Sequence, residues 1–317
     1  MIATLTPNPC IDKTVSVPHF DIEKTNRARI LRSDVGGKGL NVSLALRGLE
    51  CDTIALGFDF TGEHGSPLKA TMAARGIPCS FIDVPGQLRT CTKIFDESRK
   101  HTIELNEYGP SVTEEAGELL LELVAQTAGD CDYITFSGSL PGGLGSDFYF
   151  RCAEAVRNEA QNCKVVVDAE GELLLKALDA QPFLIKPNIN EFQATFGVSI
   201  SNLEELDEAV LKIIRQYSLG MVCVSMGGEG AYIATEEQAY FCPALKVDVR
   251  SLQGAGDSMV AGICAALQLG LPLQEVLHYG VAASSASISR EGTQLCTEET
   301  FRPLLAQNVE ICCLRGN

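Results

Sequence analysis

The chain has 317 residues, of which 45% are hydrophobic and 6% are aromatic, and it contains no tryptophan. This length allows two average domains or one large α/β domain, and either can bury a full core. The formal net charge of −16 argues against nucleic acid or an anionic membrane surface as the main partner. An anionic substrate would therefore need a local group of basic side chains in an otherwise acidic molecule.

The thirteen cysteines form no C-x-x-C motif and no Cys/His pattern typical of zinc sites. Met1–Leu5 carries no signal-peptide pattern, and no apolar run reaches the ~18 residues that a membrane span needs. These features predict reduced thiols and a cytoplasmic protein. Most of the cysteines are expected to be small core residues. Cys10 is expected to be a core thiol too, with a place in the lining of a ligand site beside Asp12 as the alternative.

Strands and helices alternate along most of the chain. The first predicted strand, Ile2–Thr6, ends at the Pro7-Asn8-Pro9 break. Short apolar runs rich in Val and Ile then predict strands, and apolar positions with helical spacing predict helices. The strands are predicted at 53–57, 133–136, 164–168, 183–186 and 221–225, with short strands within 231–250. The helices are predicted at 41–49, about 65–75, from 112, around 203–214, and near 256, 272 and 298.

This alternation predicts one α/β domain over residues 1–317, with a mostly parallel central sheet and helices on both faces. Two segments do not fit the central pattern. Residues 13–33 alternate weakly, and residues 88–107 are typical of a hairpin. We expect these two segments to form a small β-sheet lid.

Polar and glycine-rich stretches follow several predicted strands. They include Asp12, residues 137–143, Asp168, residues 186–191 and residues 225–230. The carboxyl ends of parallel strands meet at one edge of the sheet, where open α/β folds bind ligands. We therefore expect these stretches to converge on one site.

The stretch Gly254-Ala255-Gly256-Asp257-Ser258 precedes an apolar run with helical spacing. The free N–H groups of a helix start can bind a phosphate, and glycines allow close approach. Asp257 would repel that anion unless it accepts a proton from an attacking nucleophile. The stretch thus indicates a phosphoryl-transfer site, although a helix start with a dipole-favoured Asp is an equal alternative.

Three further positions are candidates for contacts with an anionic or sugar ligand. The stretch Gly36-Gly37-Lys38-Gly39 lacks the Walker A spacing. Because Lys38 lies beside the predicted helix start at Asn41, it is favoured as an anion or sugar contact, and a tight turn with a solvated lysine is the alternative. Asp12 is suited to accept hydrogen bonds from sugar hydroxyls, or it forms an Asx turn. Arg89 is placed to clamp a phosphate, or it is a solvated lid arginine.

Two other stretches have both a functional and a structural interpretation. Asn188 and Glu191 offer the oxygen ligands that suit Mg²⁺, often through water, and the same pair is typical of a helix capping box. Gly227-Gly228-Glu229-Gly230 is similar to a phosphate loop, and equally to a turn between two strands.

Taken together, these stretches resemble the ribokinase/PfkB family of sugar kinases over essentially the full length. The most specific are residues 36–42 and 254–259, and the motifs at 137–141, 186–191 and 225–231 fit in order and spacing. Residues 4–12 and Lys38 resemble the branch of the family that phosphorylates hexose phosphates, which includes 1-phosphofructokinases and tagatose-6-phosphate kinases.

The resemblance implies phosphorylation of a ketohexose phosphate by ATP with Mg²⁺. Fructose 1-phosphate is the leading substrate and tagatose 6-phosphate the alternative; a kinase of unphosphorylated sugars and a non-catalytic sugar-phosphate sensor are further alternatives. The resemblance implies that Asp257 is the base, with Gly254, Ala255 and Gly256 forming the anion hole. The residues implied to bind the sugar phosphate are Asp12, Gly37, Lys38, Asn41, Arg89 and Ser139. Those implied to bind the nucleotide are Lys186, Asn188, Ser225, Gly227 and Gly230, and Asn188 and Glu191 are implied to hold magnesium through water.

The sequence departs from the family pattern at two places. Gln253 stands before Gly254, where the family usually has a small or β-branched residue. The stretch Asp168-Ala169-Glu170-Gly171 replaces the usual Asp-x-Ser, so Asp168 is not included among the site residues.

An exposed edge of the lid could also pair two subunits, which makes a homodimer through the lid possible.

Overall fold

A ten-stranded sheet forms the centre of the molecule, and a four-stranded sheet stands apart from it. The computed structural model describes residues 1–62, 67–290, 292 and 294–316. The strands of the large sheet are β1 (Ile2–Thr6), β4 (Thr53–Thr61), β5 (Cys79–Pro85), β8 (Tyr133–Ser137), β9 (Lys164–Asp168), β10 (Leu184–Ile185), β11 (Met221–Ser225), β12 (Gly230–Ala234), β13 (Ala239–Pro243) and β14 (Cys312–Arg315). Those of the small sheet are β2 (Cys10–Val17), β3 (Arg29–Gly36), β6 (Arg89–Asp96) and β7 (His101–Asn106).

The large sheet has the order β14-β13-β12-β11-β10-β9-β8-β1-β4-β5. The pairs from β5 to β11 are parallel, and β12, β13 and β14 add antiparallel strands at one edge. The chain fills one side of β1 with β4 and β5 and then the other side with β8 to β11. This reversal of strand order creates a crevice at the carboxyl ends of the strands, as in other open α/β sheets.

Helices cover both faces of the large sheet. In the part of the chain that the structure describes, they are α1 (Lys38–Gly48), α2 (Pro67–Ala74), α3 (Glu114–Ala128), α4 (Phe148–Glu159), α5 (Gly171–Leu178), α6 (Ile189–Phe196), α7 (Leu203–Tyr217), α8 (Ala255–Gln268), α9 (Leu273–Ile288) and α10 (Glu298–Leu305). The strand side chains alternate between two apolar layers, one packed on α3 to α7 and the other on α1 and α8 to α10. In β9, for example, Val165 and Val167 face the first layer and Val166 faces the second. The α/β fold with helices on both faces is thus confirmed.

The structure differs from the sequence prediction at several element boundaries. Helix α1 begins at Lys38, three residues before the predicted start at Asn41. Strands β5 and β14 were not predicted. Both are sheet edges whose residues are mostly half-buried or exposed, so they lack the apolar pattern of a central strand. The first residues of the helix predicted at 65–75 lie outside the described residues.

The small sheet has the order β3-β2-β6-β7. It contains strands from both segments that the sequence excluded from the central sheet, so the predicted second sheet is confirmed. The chain passes from β1 into β2 through Pro7-Asn8-Pro9 alone. Asp12 therefore lies within β2 of the small sheet, and the expectation that it follows the end of the first strand is wrong.

None of the helices in the described ranges combines the length and the apolar character that crossing a membrane requires.

Candidate active site

A cavity of about 440 Å³ lies between the small sheet and the carboxyl edge of the large sheet. It brings together residues from eight separate parts of the chain. The predicted site residues that line it are Asp12, Gly37, Lys38, Asn41, Arg89, Lys186, Asn188, Glu191, Ser225, Gly254, Ala255, Gly256 and Asp257. The expected convergence on one sheet edge thus holds for Asp168, residues 186–191 and Ser225. Asp12 reaches the cavity from the small sheet instead, and residues of the stretch 137–143 line a neighbouring cavity.

The start of helix α8 forms one wall of this cavity. Gly254 precedes the helix with φ of 70°, a left-handed conformation that glycine adopts readily. The first helical hydrogen bond runs from Ser258 N–H to the Gly254 carbonyl at 2.9 Å. The N–H groups of Ala255, Gly256 and Asp257 come before it, so they carry the positive end of the helix dipole toward the cavity.

Asp257 is buried in the first turn of α8. Burial, and then the negative charge of Asp168, raise the pKa of the Asp257 carboxyl to about 6. The nearby lysines and a hydrogen bond from Asn41 Nδ2 to Asp257 Oδ2, 2.7 Å long, oppose this rise. A carboxylate with a pKa just below neutrality is ionised at pH 7 and basic enough to accept a proton.

Two lysines converge on Asp168 at the end of β9. The Asp168 Oδ1 atom lies 3.3 Å from Lys186 Nζ and 3.6 Å from Lys38 Nζ. Burial would raise the pKa of Asp168, but the two ammonium groups hold it below its usual value. Asp168 in turn raises the pKa of Lys38, so both groups keep their charges. A Cβ added at Gly256 would lie 3.4 Å from Lys186 Nζ, which places this ammonium group directly beside the α8 start.

On the opposite wall, Asp12 is held by a residue that the sequence prediction missed. Lys93 Nζ donates a hydrogen bond to Asp12 Oδ1 at 2.9 Å, and both side chains are buried. Gly36 faces the same carboxylate, because a Cβ there would lie 2.2 Å from Asp12 Oδ2. A larger residue at this position would therefore have to displace the Asp12 carboxylate. Asn106 and Glu104 of β7 also line this wall.

Arg89 is held at the base of the small sheet by backbone carbonyls. Its Nη2 donates to the Asn8 carbonyl at 3.0 Å and its Nη1 to the Glu107 carbonyl at 3.1 Å. Its buried Nε has no hydrogen-bond partner among the described residues. Arg89 also lines the cavity, and a guanidinium fixed in this way is suited to bind an anion there.

Asn188 and Glu191 form the capping box that the sequence offered as one interpretation. Asn188 Oδ1 accepts from Glu191 N–H at 2.9 Å, and Glu191 Oε2 accepts from Asn188 N–H at 2.8 Å. One oxygen of each side chain is therefore used to start α6, which leaves the second Glu191 oxygen for a ligand. Ser225 is placed beside them by a bridge between the Asn188 and Ser225 backbones.

Three predicted site residues do not line this cavity. Ser139 lies in a neighbouring cavity of about 560 Å³ that also contacts Lys38, and its Oγ accepts from Asn8 Nδ2 at 3.2 Å. Gly227 begins a short 3₁₀ helix between the antiparallel strands β11 and β12. Gly230 approaches the next strand so closely that a Cβ would lie 2.1 Å from the Cys242 carbonyl oxygen, and this packing accounts for Gly230 without a ligand.

Sequence reasoning missed Lys93 and left out Asp168, and both line the cavity. Arg89, Cys91 and Lys93 alternate along β6 and all face the cavity. The period-two spacing was a usable signal, since it places the three side chains on one face of the strand. For Asp168, its position at the end of a buried strand was the signal, and the departure from the family motif outweighed it.

Comparison with known proteins gives a family for the whole chain. The model of the pfkB family of carbohydrate kinases matches residues 5–300. The 1-phosphofructokinase of Bacillus subtilis (strain 168) is 37% identical over 311 residues, which cover 97% of this chain and 98% of that protein. A tagatose-6-phosphate kinase of Staphylococcus epidermidis is 33% identical over 275 residues, which cover 84% of this chain and 85% of that protein.

Solved structures support the same fold. Phosphofructokinase-2 from Escherichia coli, in complex with substrates and products, superposes with a TM-score of 0.90 at 26% sequence identity. The match covers 96% of this chain and 98% of that one. A tetrameric inhibited form of that enzyme gives a TM-score of 0.87 with the same coverage.

Proposed function

Because the chain belongs to the pfkB family of carbohydrate kinases, we propose that it transfers the γ-phosphoryl group of ATP to fructose 1-phosphate, giving fructose 1,6-bisphosphate and ADP. The observation that carries this proposal is the position of Asp257. It is a buried carboxylate with a pKa of about 6, at a helix start that faces a cavity lined by Lys38, Arg89 and Lys93.

The chemical step is an in-line displacement without a phosphoenzyme. The free primary hydroxyl of the sugar attacks the γ-phosphorus, and the bond to the ADP oxygen breaks. Asp257 accepts the hydroxyl proton as the new O–P bond forms. The N–H groups of Ala255, Gly256 and Asp257 stabilise the charge that grows on the γ-phosphoryl oxygens.

The nucleotide side of the site fits a polyphosphate. Lys186 supplies a buried ammonium group beside Gly256, and the backbone of Gly227 and Gly228 faces space in which an added Cβ would meet no atom within 4 Å. Carbohydrate kinases of this family generally use ATP and Mg²⁺. When bound, Mg²⁺ would neutralise the nucleotide phosphates, with Glu191 and Asn188 holding its water ligands.

The sugar side of the site supports a substrate that already carries a phosphate. The chain has a net charge of −16, yet Arg89, Lys93 and Lys38 all face this one cavity. Lys93 is paired with one oxygen of Asp12, Oδ1. The second oxygen of that carboxylate is left to orient sugar hydroxyls. The Arg89 guanidinium, which lines the cavity, is placed to bind the substrate phosphate. The small sheet over the cavity would act as a lid that excludes water from the transfer.

Tagatose 6-phosphate is the alternative substrate, because a relative that is 33% identical to this chain is named as a tagatose-6-phosphate kinase. A coupled assay of ADP release should compare fructose 1-phosphate, tagatose 6-phosphate, fructose 6-phosphate, fructose and adenosine. We expect the highest kcat/KM with fructose 1-phosphate. Turnover of fructose and adenosine alone would refute the hexose-phosphate assignment, and the absence of any turnover would favour a sugar-phosphate sensor.

A homodimer through the small sheet is a further part of the proposal. Its edge strands β3 and β7 carry exposed apolar side chains, among them Ile30, Leu31 and Leu105. Unpaired edges with apolar side chains favour association with a second copy. Sedimentation velocity should show a dimer that Leu31→Glu with Leu105→Glu converts to a monomer; a monomeric wild type would refute this interface.

A cytoplasmic location stays a prediction from the cysteine content.

A further inference from the structure

Two cysteines and an aspartate meet on the sugar side of the cavity. Cys10 and Asp12 alternate along β2, and Cys91 lies on the neighbouring strand β6, directly opposite Asp12. All three side chains are buried and line the cavity. One ligand atom from each of them, the two Sγ atoms and a carboxylate oxygen, lies within 4.8 Å of the other two.

The strand register argues against a disulfide between the two cysteines. Cys10 is opposite Arg89 and Cys91 is opposite Asp12, so the two cysteines are offset by two residues on neighbouring strands. Such an offset separates Cα atoms by about 8 Å, beyond the ~7 Å limit for a bridge without backbone movement. The two sulfur atoms nevertheless lie within 4.8 Å of each other.

The same arrangement fits a tetrahedral metal ion. In a tetrahedral zinc site with bonds of about 2.0 to 2.3 Å, neighbouring ligand atoms lie somewhat under 4 Å apart, so small rotations of these side chains would suffice. Three protein ligands leave a fourth position, which here opens to the cavity. We propose that Cys10, Asp12 and Cys91 form a binding site for Zn²⁺ that overlaps the sugar site; the overlap rests on the proposed function.

The charges in this part of the cavity balance when the ion is bound. Zn²⁺ binding releases the two thiol protons to solvent, which leaves two thiolates and one carboxylate against Zn²⁺ and the Lys93 ammonium group. The net charge of this group is zero. The thiolates also select the metal, since Mg²⁺ prefers oxygen ligands whereas Zn²⁺ and Cd²⁺ accept sulfur. Mg²⁺ for the nucleotide would therefore not fill this site.

The consequence for activity follows from the role of Asp12. An oxygen of Asp12 that coordinates a metal is no longer free to accept a hydrogen bond from a sugar hydroxyl. Bound Zn²⁺ should therefore compete with the sugar phosphate and leave the affinity for ATP unchanged. Free Zn²⁺ would thus inhibit the enzyme at its substrate site.

Binding is tested first with Cd²⁺, whose thiolate complexes absorb in the ultraviolet through charge transfer. The experiment uses the full chain with Cys312→Ser and Cys313→Ser, because these two exposed neighbours could bind metal independently. We expect one equivalent of Cd²⁺ and a charge-transfer band. Cys10→Ala and Cys91→Ala should each weaken binding by at least about 100-fold, the upper end of what removing an outer-shell partner costs.

Cys51→Ser is the matched control, because Cys51 is a partly buried free cysteine outside the cavity. A band of equal strength and affinity in Cys10→Ala or Cys91→Ala would overturn the proposal. So would loss of the band in Cys51→Ser alone.

Competition is tested with the same protein in a phosphine reductant. Zn²⁺ should raise the KM for fructose 1-phosphate, and fructose 1-phosphate should displace Cd²⁺ from the site. If only tagatose 6-phosphate is turned over and displaces the metal, the substrate assignment is wrong and the metal site stands. If no sugar phosphate displaces bound Cd²⁺, the overlap with the substrate site is refuted.

Discussion

The hydrogen bond from Asn41 to Asp257 should set the pH at which the enzyme becomes active. Replacing Asn41 with Ala removes the donor that lies 2.7 Å from Asp257 Oδ2. A hydrogen bond to a charged group is worth about 1.5–3 kcal/mol, and one pKa unit corresponds to about 1.4 kcal/mol. The loss should therefore raise the pKa of Asp257 by about one to two units above its value of about 6, with water in the gap favouring the lower figure.

The assay is kcat/KM against pH with a saturating concentration of ATP. The wild type should lose activity as the pH falls through about 6, because the base must be ionised in the ATP-bound enzyme that meets the sugar. In Asn41→Ala this limb should move to about pH 7 or above. The activity lost at pH 7 through protonation should return by pH 9, and any loss that remains there reports positioning.

Asp168→Asn gives a shift in the opposite direction. The charge of Asp168 raises the pKa of Asp257, whereas Lys38 and Lys186 lower it. Removing that charge should move the acidic limb below pH 6. Ser43→Ala is the control for Asn41→Ala, because Ser43 lies on the same helix as Asn41 and its hydroxyl forms a hydrogen bond with Thr4 Oγ1 at 2.7 Å in the core. An acidic limb that stays at the same pH in both Asn41→Ala and Asp168→Asn would mean that Asp257 is not the titrating base.

Three further variants test separate parts of the site. Asp257→Asn should lower kcat by ~10²–10⁴-fold or more with sugar binding retained, and near-normal turnover would exclude the general base. Asp257→Asn should also be more stable than the wild type at pH 7. The pKa of Asp257 is about 6 in the folded protein against its ordinary value of 3.8, so the ionised carboxylate lowers the free energy of unfolding by about 3 kcal/mol above pH 6 and not at all below pH 4. The difference in Tm between variant and wild type should therefore disappear toward pH 4. Arg89→Ala should raise the KM for the sugar phosphate far more than that for ATP, and Arg89→Lys should restore part of it; equal effects on both substrates would contradict the phosphate contact. Gly36→Ala should act through Asp12, whose Oδ2 would lie 2.2 Å from the new Cβ, and an unchanged KM for the sugar phosphate would argue against Asp12 as a sugar ligand.

Local patterns were sufficient to predict the order of strands and helices. Continuous Val and Ile runs such as Val165-Val166-Val167 belong to strands buried on both faces. Strands of a parallel sheet are covered by helices on both faces, so such runs predict them directly. Edge strands are a different case, because solvent on one side removes the need for apolar residues. The exposed strand Cys312–Arg315 shows how little signal remains at an edge.

The candidate site was predictable where the backbone itself makes the contact. Gly254 is favoured by its left-handed conformation and Gly36 by its close approach to Asp12, and such preferences appear in the sequence. The side-chain pairs were not predictable in the same way. Asn41 and Asp257 are 216 residues apart, and Lys93 meets Asp12 across 81 residues. Asp12 and Lys93 meet because β2 pairs with β6 in the small sheet, and Asn41 meets Asp257 because α1 packs against α8. A local pattern carries no information about either pairing.

The three-residue link between β1 and β2 gives the lid a mechanical role. Strand β1 is the central strand at which the sheet order reverses, and after Pro7-Asn8-Pro9 the same chain becomes the lid strand that carries Asp12. Asn8 ties this link to the Leu140 carbonyl, and Arg89 ties the lid to Asn8. A tilt of the lid over a sugar would therefore bend the chain directly beside the central strand of the large sheet. We expect substitutions in this link to change substrate affinity without any contact to the substrate.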